Sequence, residues 1–325
     1  MRCYVRRGDS GLNCLLAINK PVGPSSHDVV GKVRRALGER RVGHAGTLDP
    51  AASGVLVVGV GQGTRLLGML TLDEKAYNAR ISFGSETTTD DAEGEVTVVR
   101  DVPDVLKDRD HAAQVVSELV GDLDQVPPAY SAISVDGRRS YDRARSGERV
   151  ELEPRHVRII DARLLNLEVE GDGSLVWEVY LHVSKGTYVR SIARDLGRSL
   201  GSAAHLVGLC RVASGGVRLK DCLELSELEE KGPSAVPTLS LDPVTALGHP
   251  FRSLSRNELD DVSCGRRIGA GLCVCPDGSI REPNQGELVS LLSGHSLVGI
   301  WRRVGSELRC ESNFPAGIVG VGGSR

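Results

Sequence analysis

Residues 43–61 read GHAGTLDPAASGVLVVGVG, and no other stretch constrains the fold as much. The segment 55-VLVVGV-60 has no polar side chain. A short valine-rich run without alternation reads as a buried strand. Just before it a lone carboxylate, Asp49, sits among small residues and a proline, with Gly43, Gly46 and Gly54 clearing space around it. An ionised carboxylate in so cramped a loop needs a positive or hydrogen-bonding partner, because an unpaired buried charge is costly. Arginine suits that task, since its planar fork grips a carboxylate with two bonds. An Asp held this way could act as a nucleophile or base that stays ionised at neutral pH. Asp before Pro also commonly starts a turn, and the local pattern leaves both readings open.

The flanking sequence supplies the frame. Residues 15–18, LLAI, read as a short buried strand, followed by a turn at 20-KPVGP-24. Ser25 or Ser26 caps a helix through Leu37, with Val29, Val30, Val33 and Leu37 on one face and Gly38 ending it. Gly59, Gly61 and Gly63 mimic a phosphate loop, but no Gly-Lys-Ser/Thr follows. Residues 75–83, KAYNARISF, alternate as a half-buried strand does. Residues 86–95 form an acidic turn and 111–120 a helix. Residues 126–150 combine a Pro-rich bend, a turn at Asp136-Gly137 and an Arg-rich helical stretch, and strands follow at 156–168 and 175–184. Next, 184-SKGTYVRSIARDLGRSLG-201 predicts a helix from Thr187 or Tyr188. Arg190, Arg194 and Arg198 lie four apart on one of its faces, and Arg194 and Arg198 are expected to meet solvent or RNA phosphates. Residues 221–248 read as helix plus linker. Beyond about 250 come a helix at 256–263 and short strands at 272–275, 288–292, 297–303 and 307–311. With 325 residues the chain suggests two domains, divided as 1–248 and 249–325.

Net charge is −3, yet its distribution is uneven. Residues 1–45 hold nine Lys/Arg against three Asp/Glu, and residues 86–110 hold nine acids against three bases. A basic face can therefore coexist with a mildly acidic total. The eight cysteines are scattered, and the chain opens with no apolar leader, so a disulfide framework is not expected. Cys264, Cys273, Cys275 and Cys310 invite a zinc reading, but Cys-Val-Cys lacks the usual two-residue gap. No apolar run approaches the roughly 18 residues of a membrane helix. These features place the protein in the cytoplasm, away from membranes.

Taken together, 18-INKPVGPSS-26, 43-GHAGTLDP-50, 54-GVLVVGVGQGTR-65, 75-KAYNARISFG-84, 126-VPPAYSAISVDGRRSY-141, 184-SKGTYVRSIARDLG-197 and 204-AHLVGLCR-211 resemble the TruB family of pseudouridine synthases. These enzymes isomerise uridine 55 in the T loop of tRNA. The resemblance runs in order from Leu15 to Arg211, and the region after 250 resembles the family's small C-terminal RNA-binding domain only loosely. It implies an α+β fold: a pseudouridine synthase core with a mixed, largely antiparallel sheet flanked by helices, plus a small β-rich, PUA-like C-terminal domain. It implies catalytic roles for Asp49 as the motif aspartate, Tyr77 as the tyrosine packing on the target base, and Arg190 as the arginine paired with the acid. It further implies a substrate-binding set. His44 would hold the opened T loop, Tyr188 would be a further active-site tyrosine, Leu209 an apolar wall, and Lys20 a motif lysine with a structural role. The expected partner is the T arm of tRNA, with no obligatory protein partner, no cofactor and no metal.

Elementary chemistry fits these roles. Uracil must be turned out of a folded loop before its ring and C1′ can be reached. An aromatic or apolar wall then receives the flipped base. The reaction exchanges an N1–C1′ bond for a C5–C1′ bond without redox change or group donor. Whether Asp49 attacks C1′ or first acts as a base at C2′ stays open. Two positions depart from the family pattern. Cys210 stands where a second basic residue is common, and Thr88 where an acid is common. Three rivals remain: a relative acting on another RNA or guided by an RNA–protein complex, a tRNA-binding module without catalysis, and an Asp-dependent glycoside hydrolase. The last lacks a second carboxylate in the motif.

Overall fold

A computed structural model describes residues 10–71, 74–130, 134–135, 138–139, 152–169, 171 and 174–322. The chain forms two compact units, residues 1–73 with 213–325, and residues 74–212. It begins the first unit, builds the second, and returns to complete the first.

Strand β1 (Cys14–Lys20) pairs antiparallel with β3 (Ala52–Val60), placing Cys14 opposite Val60 and Lys20 opposite Gly54. Strand β2 (Val42–Ala45) also pairs antiparallel with β3. Between β1 and β2 runs the first helix, Ser26–Leu37. Its capping box is Ser25 with Asp28, and it stops at Gly38, whose φ of 61° is a left-handed cap. Val29, Val33 and Leu37 pack on Leu16, Ile18, Leu56 and Val58. Leu15, Ala17, Val55 and Val57 belong to a different cluster, with Leu292, Leu297, Ile300, Phe314 and Ile318. Both faces of β1 and β3 are therefore covered, which is why 55–58 carries no polar side chain. The glycines after β3 have a packing reason. A Cβ on Gly63 would come within 2.2 Å of the Cys14 carbonyl oxygen, so the chain can cross β1 there only without a side chain.

The second unit is built of paired strands with the helices between them. Strands β4 (Lys75–Phe83), β11 (Leu175–Val183), β10 (Arg155–Val169) and β7 (Gly121–Gln125) follow in that spatial order, with β12 (Ala204–Ser214) on the other side of β4. The β4–β11, β10–β11 and β7–β10 ladders are antiparallel. Fully buried Trp177 packs on Phe83 at 4.7 Å between ring centres and donates from Nε1 to the Leu106 carbonyl at 3.1 Å. A hairpin of β5 (Ser85–Thr87) and β6 (Val96–Val99) carries the acidic segment. The helix expected at 111–120 spans Arg109–Ser117, and residues 121–125 have joined the sheet as β7. Of the 126–150 region, the Asp136-Gly137 turn and residues 140–150 of the Arg-rich stretch lie outside the described residues, while the start of that stretch, Arg138–Arg139, is a strand and not the expected helix. Two short strands, β8 (Ser134–Val135) and β9 (Arg138–Arg139), pair with each other.

The returning chain adds β13 (Val217–Arg218), which pairs with the end of β12, and β14 (Leu223–Glu224), parallel to β1. Residues 221–248 are more helical than the expected helix plus linker, with helices at Leu225–Lys231 and Pro243–Leu247. A seven-stranded sheet follows: β15 (Phe251–Ser253), β16 (Ile268–Gly269), β17 (Cys273–Val274), β18 (Ile280–Arg281), β19 (Leu288–Ser293), β20 (Ser296–Val304) and β21 (Glu307–Val319). Its helix, Arg256–Ser263, is capped by Ser255 with Glu258. The last strand runs eight residues beyond the expected 307–311, because Phe314 and Ile318 are drawn into the core shared with β1 and β3. Cys273 and Cys275 are buried thiols, while Cys264 and Cys310 are exposed. Among the described residues no helix is long and apolar enough to cross a membrane.

Candidate active site

The first unit carries Lys20, His44 and Asp49. Asp49 leaves β2 in an extended loop and then turns, its carbonyl accepting from Ala52 N at 3.1 Å. The Asp-Pro turn is thus real, and it leaves the Asp49 side chain half-buried at the head of β3. Two anchors hold this loop. Ser26 Oγ accepts from Leu48 N at 2.8 Å and donates to Leu48 O at 2.9 Å, tying the loop to the start of the first helix. Lys20, fully buried at the end of β1, donates from Nζ to the carbonyls of Ala52 at 2.6 Å, Pro21 at 3.0 Å and Pro50 at 3.3 Å. Pro50 O also accepts from Gly23 N at 2.9 Å. The ammonium thus ties the turn that follows Asp49 to the end of β1. His44 is half-buried in β2, opposite Val58.

The second unit carries Tyr77, Tyr188, Arg190 and Leu209. Tyr77 lies in β4 opposite Leu181 and is 9% exposed. Leu209 is half-buried in the neighbouring strand β12. Tyr188 is the N-cap of the helix Val189–Ser199, which is called here the arginine helix. Its backbone is clamped by buried Gln125, which accepts from Tyr188 N at 2.8 Å and donates to Tyr188 O at 3.1 Å. Arg190, in the first turn of that helix, donates from Nη1 to the Thr89 carbonyl and to Asp91 Oδ2, both at 3.2 Å, and from Nη2 to the Tyr130 carbonyl at 3.1 Å.

The arginine face differs from the expected phosphate-facing surface. Arg194 is buried and bonds Asp90 Oδ2 through Nη1 at 2.8 Å, Asp195 through Nε at 2.8 Å and the Val126 carbonyl through Nη2 at 2.9 Å. Arg198 grips Glu86 with both Nε and Nη2, at 2.8 and 2.6 Å. The three arginines are therefore matched to three carboxylates of the β5–β6 hairpin, and the acidic turn is their counter-surface. Arg198 holds the Glu86 carboxyl below the usual range through these hydrogen bonds. Burial pushes Asp90 the other way, against the pull of Arg194 and Arg190. Glu86, Asp90, Asp91 and Gln125 went unread in the sequence as site-forming residues. The complementary charge of 86–91 and 190–198 was the available signal. Thr88, one of the two departures, accepts from Glu95 N at 3.2 Å and so closes the hairpin loop. Cys210 is a half-buried free thiol in β12.

Comparison with known proteins places this architecture. Residues 34–189 match the family described as TruB family pseudouridylate synthase (N terminal domain). Proteins named tRNA pseudouridine synthase B are 41% identical in Leifsonia xyli subsp. xyli, over 93% of this chain and 96% of the relative, and 42% identical in Paenarthrobacter aurescens, over 87% and 91%. The chain belongs to the TruB family. A further tRNA pseudouridine synthase B, from Mycobacteroides abscessus, is 44% identical over 78% of this chain and 84% of the relative. Among solved structures, the archaeal box H/ACA sRNP Nop10–Cbf5 complex contains a chain that superposes with a TM-score of 0.67 at 20% identity, covering 93% of this chain and 86% of that one. That likeness bears on the fold, which is the expected α+β pseudouridine synthase core with a curled β-rich C-terminal part.

Proposed function

We propose that this protein converts uridine 55 in the T loop of tRNA to pseudouridine. The observation that carries the reading is the shared name and near end-to-end match of relatives at 41–42% identity, called tRNA pseudouridine synthase B. The Asp49 loop supports it, because a half-buried carboxylate on an anchored turn suits attack on a ribose better than a mobile surface acid would.

In this reading the tRNA presents its T arm and the target nucleotide is everted. Tyr77 and Leu209 wall the base. Asp49 acts at the ribose, either on C1′ or first on the C2′ proton, and the N1–C1′ bond breaks. The uracil rotates, C5 bonds to C1′ and displaces Asp49 where it had bonded there, Tyr77 removes the C5 proton, and N1 ends protonated. Arg190 steadies the Asp49 carboxylate, Tyr188 completes the pocket, His44 holds the opened loop, and Lys20 keeps the catalytic turn in place. Residues 249–325 serve as a PUA-like RNA-binding domain appended to a catalytic domain of residues 1–248. The enzyme works in the cytoplasm without an obligatory protein partner.

The test is an unmodified tRNA transcript incubated with wild type and with Asp49→Ala, with pseudouridine mapped by position. Product at position 55 with wild type alone is the expected result. Equal tRNA binding by both proteins with no product from either would replace the enzyme with a binding module, and free uracil would mean hydrolysis.

A further inference from the structure

Arg190 does not stand alone on its helix. Its guanidinium is held by two groups of one tight turn, the Thr89 carbonyl and the Asp91 carboxylate. Asp91 is itself fixed: Oδ1 accepts from Thr89 Oγ1 at 2.5 Å and from Glu93 N at 3.1 Å, and its carbonyl accepts from Thr87 Oγ1 at 2.6 Å. The residue between these two holders is Asp90. With φ of 60° it is the one non-glycine residue in the left-handed region among the described residues. Such a conformation persists in a non-glycine residue when its surroundings over-determine it. Here they do. Asp90 N donates to Thr87 O at 3.3 Å, Asp90 O accepts from Leu206 N at 3.1 Å, and the carboxylate is pinned by buried Arg194 at 2.8 Å. Arg194 is anchored in turn by Asp195 and by the Val126 carbonyl, which also accepts from Ser191 Oγ at 2.9 Å.

We infer that Asp90 and Arg194 are positioning residues for the reaction: their ion pair locks the left-handed turn that aims Thr89 O and Asp91 at Arg190, and so fixes the arginine proposed to steady the catalytic acid. This rests on the functional reading above. Arg190 and Arg194 sit one helical turn apart on the same face, and their partners Asp91 and Asp90 are adjacent in the chain. A shift of the Arg194 rung therefore moves the Arg190 rung with it. The pair needs no contact with substrate, since it acts only through the turn.

Two substitutions separate charge from backbone. Asn tolerates the left-handed region and matches Asp in shape, so Asp90→Asn removes the charge and keeps the turn accessible. Asp90→Gly removes the side chain while fitting the φ of 60° without strain. The experiment measures single-turnover pseudouridine formation, tRNA affinity and melting temperature. It compares wild type, Asp90→Asn, Asp90→Gly, Arg194→Met, Arg194→Lys and the Asp90→Asn/Arg194→Met double variant. A loosened catalytic arginine is expected to slow the chemical step about 10- to 100-fold. Affinity for tRNA should stay within about twofold, the double variant should be no slower than the worse single one, and Lys at 194 should recover part of the rate. Rate losses that multiply in the double variant would overturn the inference, as would losses found only in variants that melt below the assay temperature. An active wild type with Asp90→Asn and Asp90→Gly both at its rate would overturn this inference alone. A wild type that makes no pseudouridine would overturn the functional reading and this inference with it.

Discussion

Lys20 offers the sharpest test of how the catalytic turn is built. Replacing it with Met keeps the length and apolar stem but removes three donors from the carbonyls of Pro21, Pro50 and Ala52. The Pro50 bond is the longest, and Pro50 O keeps its bond from Gly23 N. The loss therefore falls on Pro21 and Ala52, whose carbonyls are left without this donor at a cost of about 1–3 kcal/mol each. Against that gross 2–6 kcal/mol stands the relief of no longer burying an ammonium, itself worth several kcal/mol where pairing is imperfect. The bond to Ala52 O, at 2.6 Å, is short and charge-assisted, so the pairing here is good and the loss should win. A net destabilisation of about 2–4 kcal/mol lowers the melting temperature by roughly 3–6 °C for a chain of this length. Because Ala52 closes the turn that begins at Asp49, the turnover of Lys20→Met at a temperature where it is fully folded should also fall about tenfold or more. Melting by circular dichroism and single-turnover pseudouridine formation read the two effects. A Lys20→Met protein that melts with wild type and turns over at its rate would refute the anchoring argument. One that melts lower yet turns over normally would confine Lys20 to stability.

Further outcomes follow from other contacts. Glu86 has a folded pKa held below its ordinary 4.5 by Arg198, so its contribution to stability is complete above that value and is lost as pH falls through the depressed one. The melting difference between wild type and Glu86→Gln should accordingly shrink on acidification from pH 7 toward 3, and a constant difference would contradict the pairing. Asp90 carries the opposite sign, since burial raises its value, and the penalty of its charge is relieved as pH falls through that raised value toward 3.8. Phe314→Ala, in the core shared by the C-terminal sheet and β1–β3, should cost about 3–5 kcal/mol, measured by denaturant unfolding. An unchanged midpoint would mean that the shared core contributes little to stability.

Much of the frame was legible because its signals are local. The first helix shows its capping serine, its valine spacing and its terminal glycine, and β3 shows an unbroken apolar run. The Asp49 turn and the arginine helix were equally visible in short motifs. What escaped depends on distant partners. Strand β7, GDLDQ, carries two aspartates that disfavour strands, and it is a strand because β10 pairs with it from Ile159 to Arg155. Strand β12 mixes exposed, half-buried and buried positions without clean alternation, so its period is blurred. The Arg–acid ladder was missed for the same reason. Each half looks like an ordinary solvated charge cluster, and only folding brings residues a hundred positions apart into register.

The sharing of one core by β1, β3 and the last strands also matters while the chain is being made. Leu15 and Val57 leave the ribosome more than 250 residues before Phe314 and Ile318, which cover them. Residues 74–212, in which β4, β11, β10 and β7 pair with one another in turn, can settle while translation continues. Strands β1 and β3 must wait, with that apolar face uncovered, until β21 has been made. Chaperone dependence during synthesis should therefore concentrate on the first sixty residues, and a stalled or prematurely stopped message should yield a product whose beginning, rather than its broken end, is the part that aggregates.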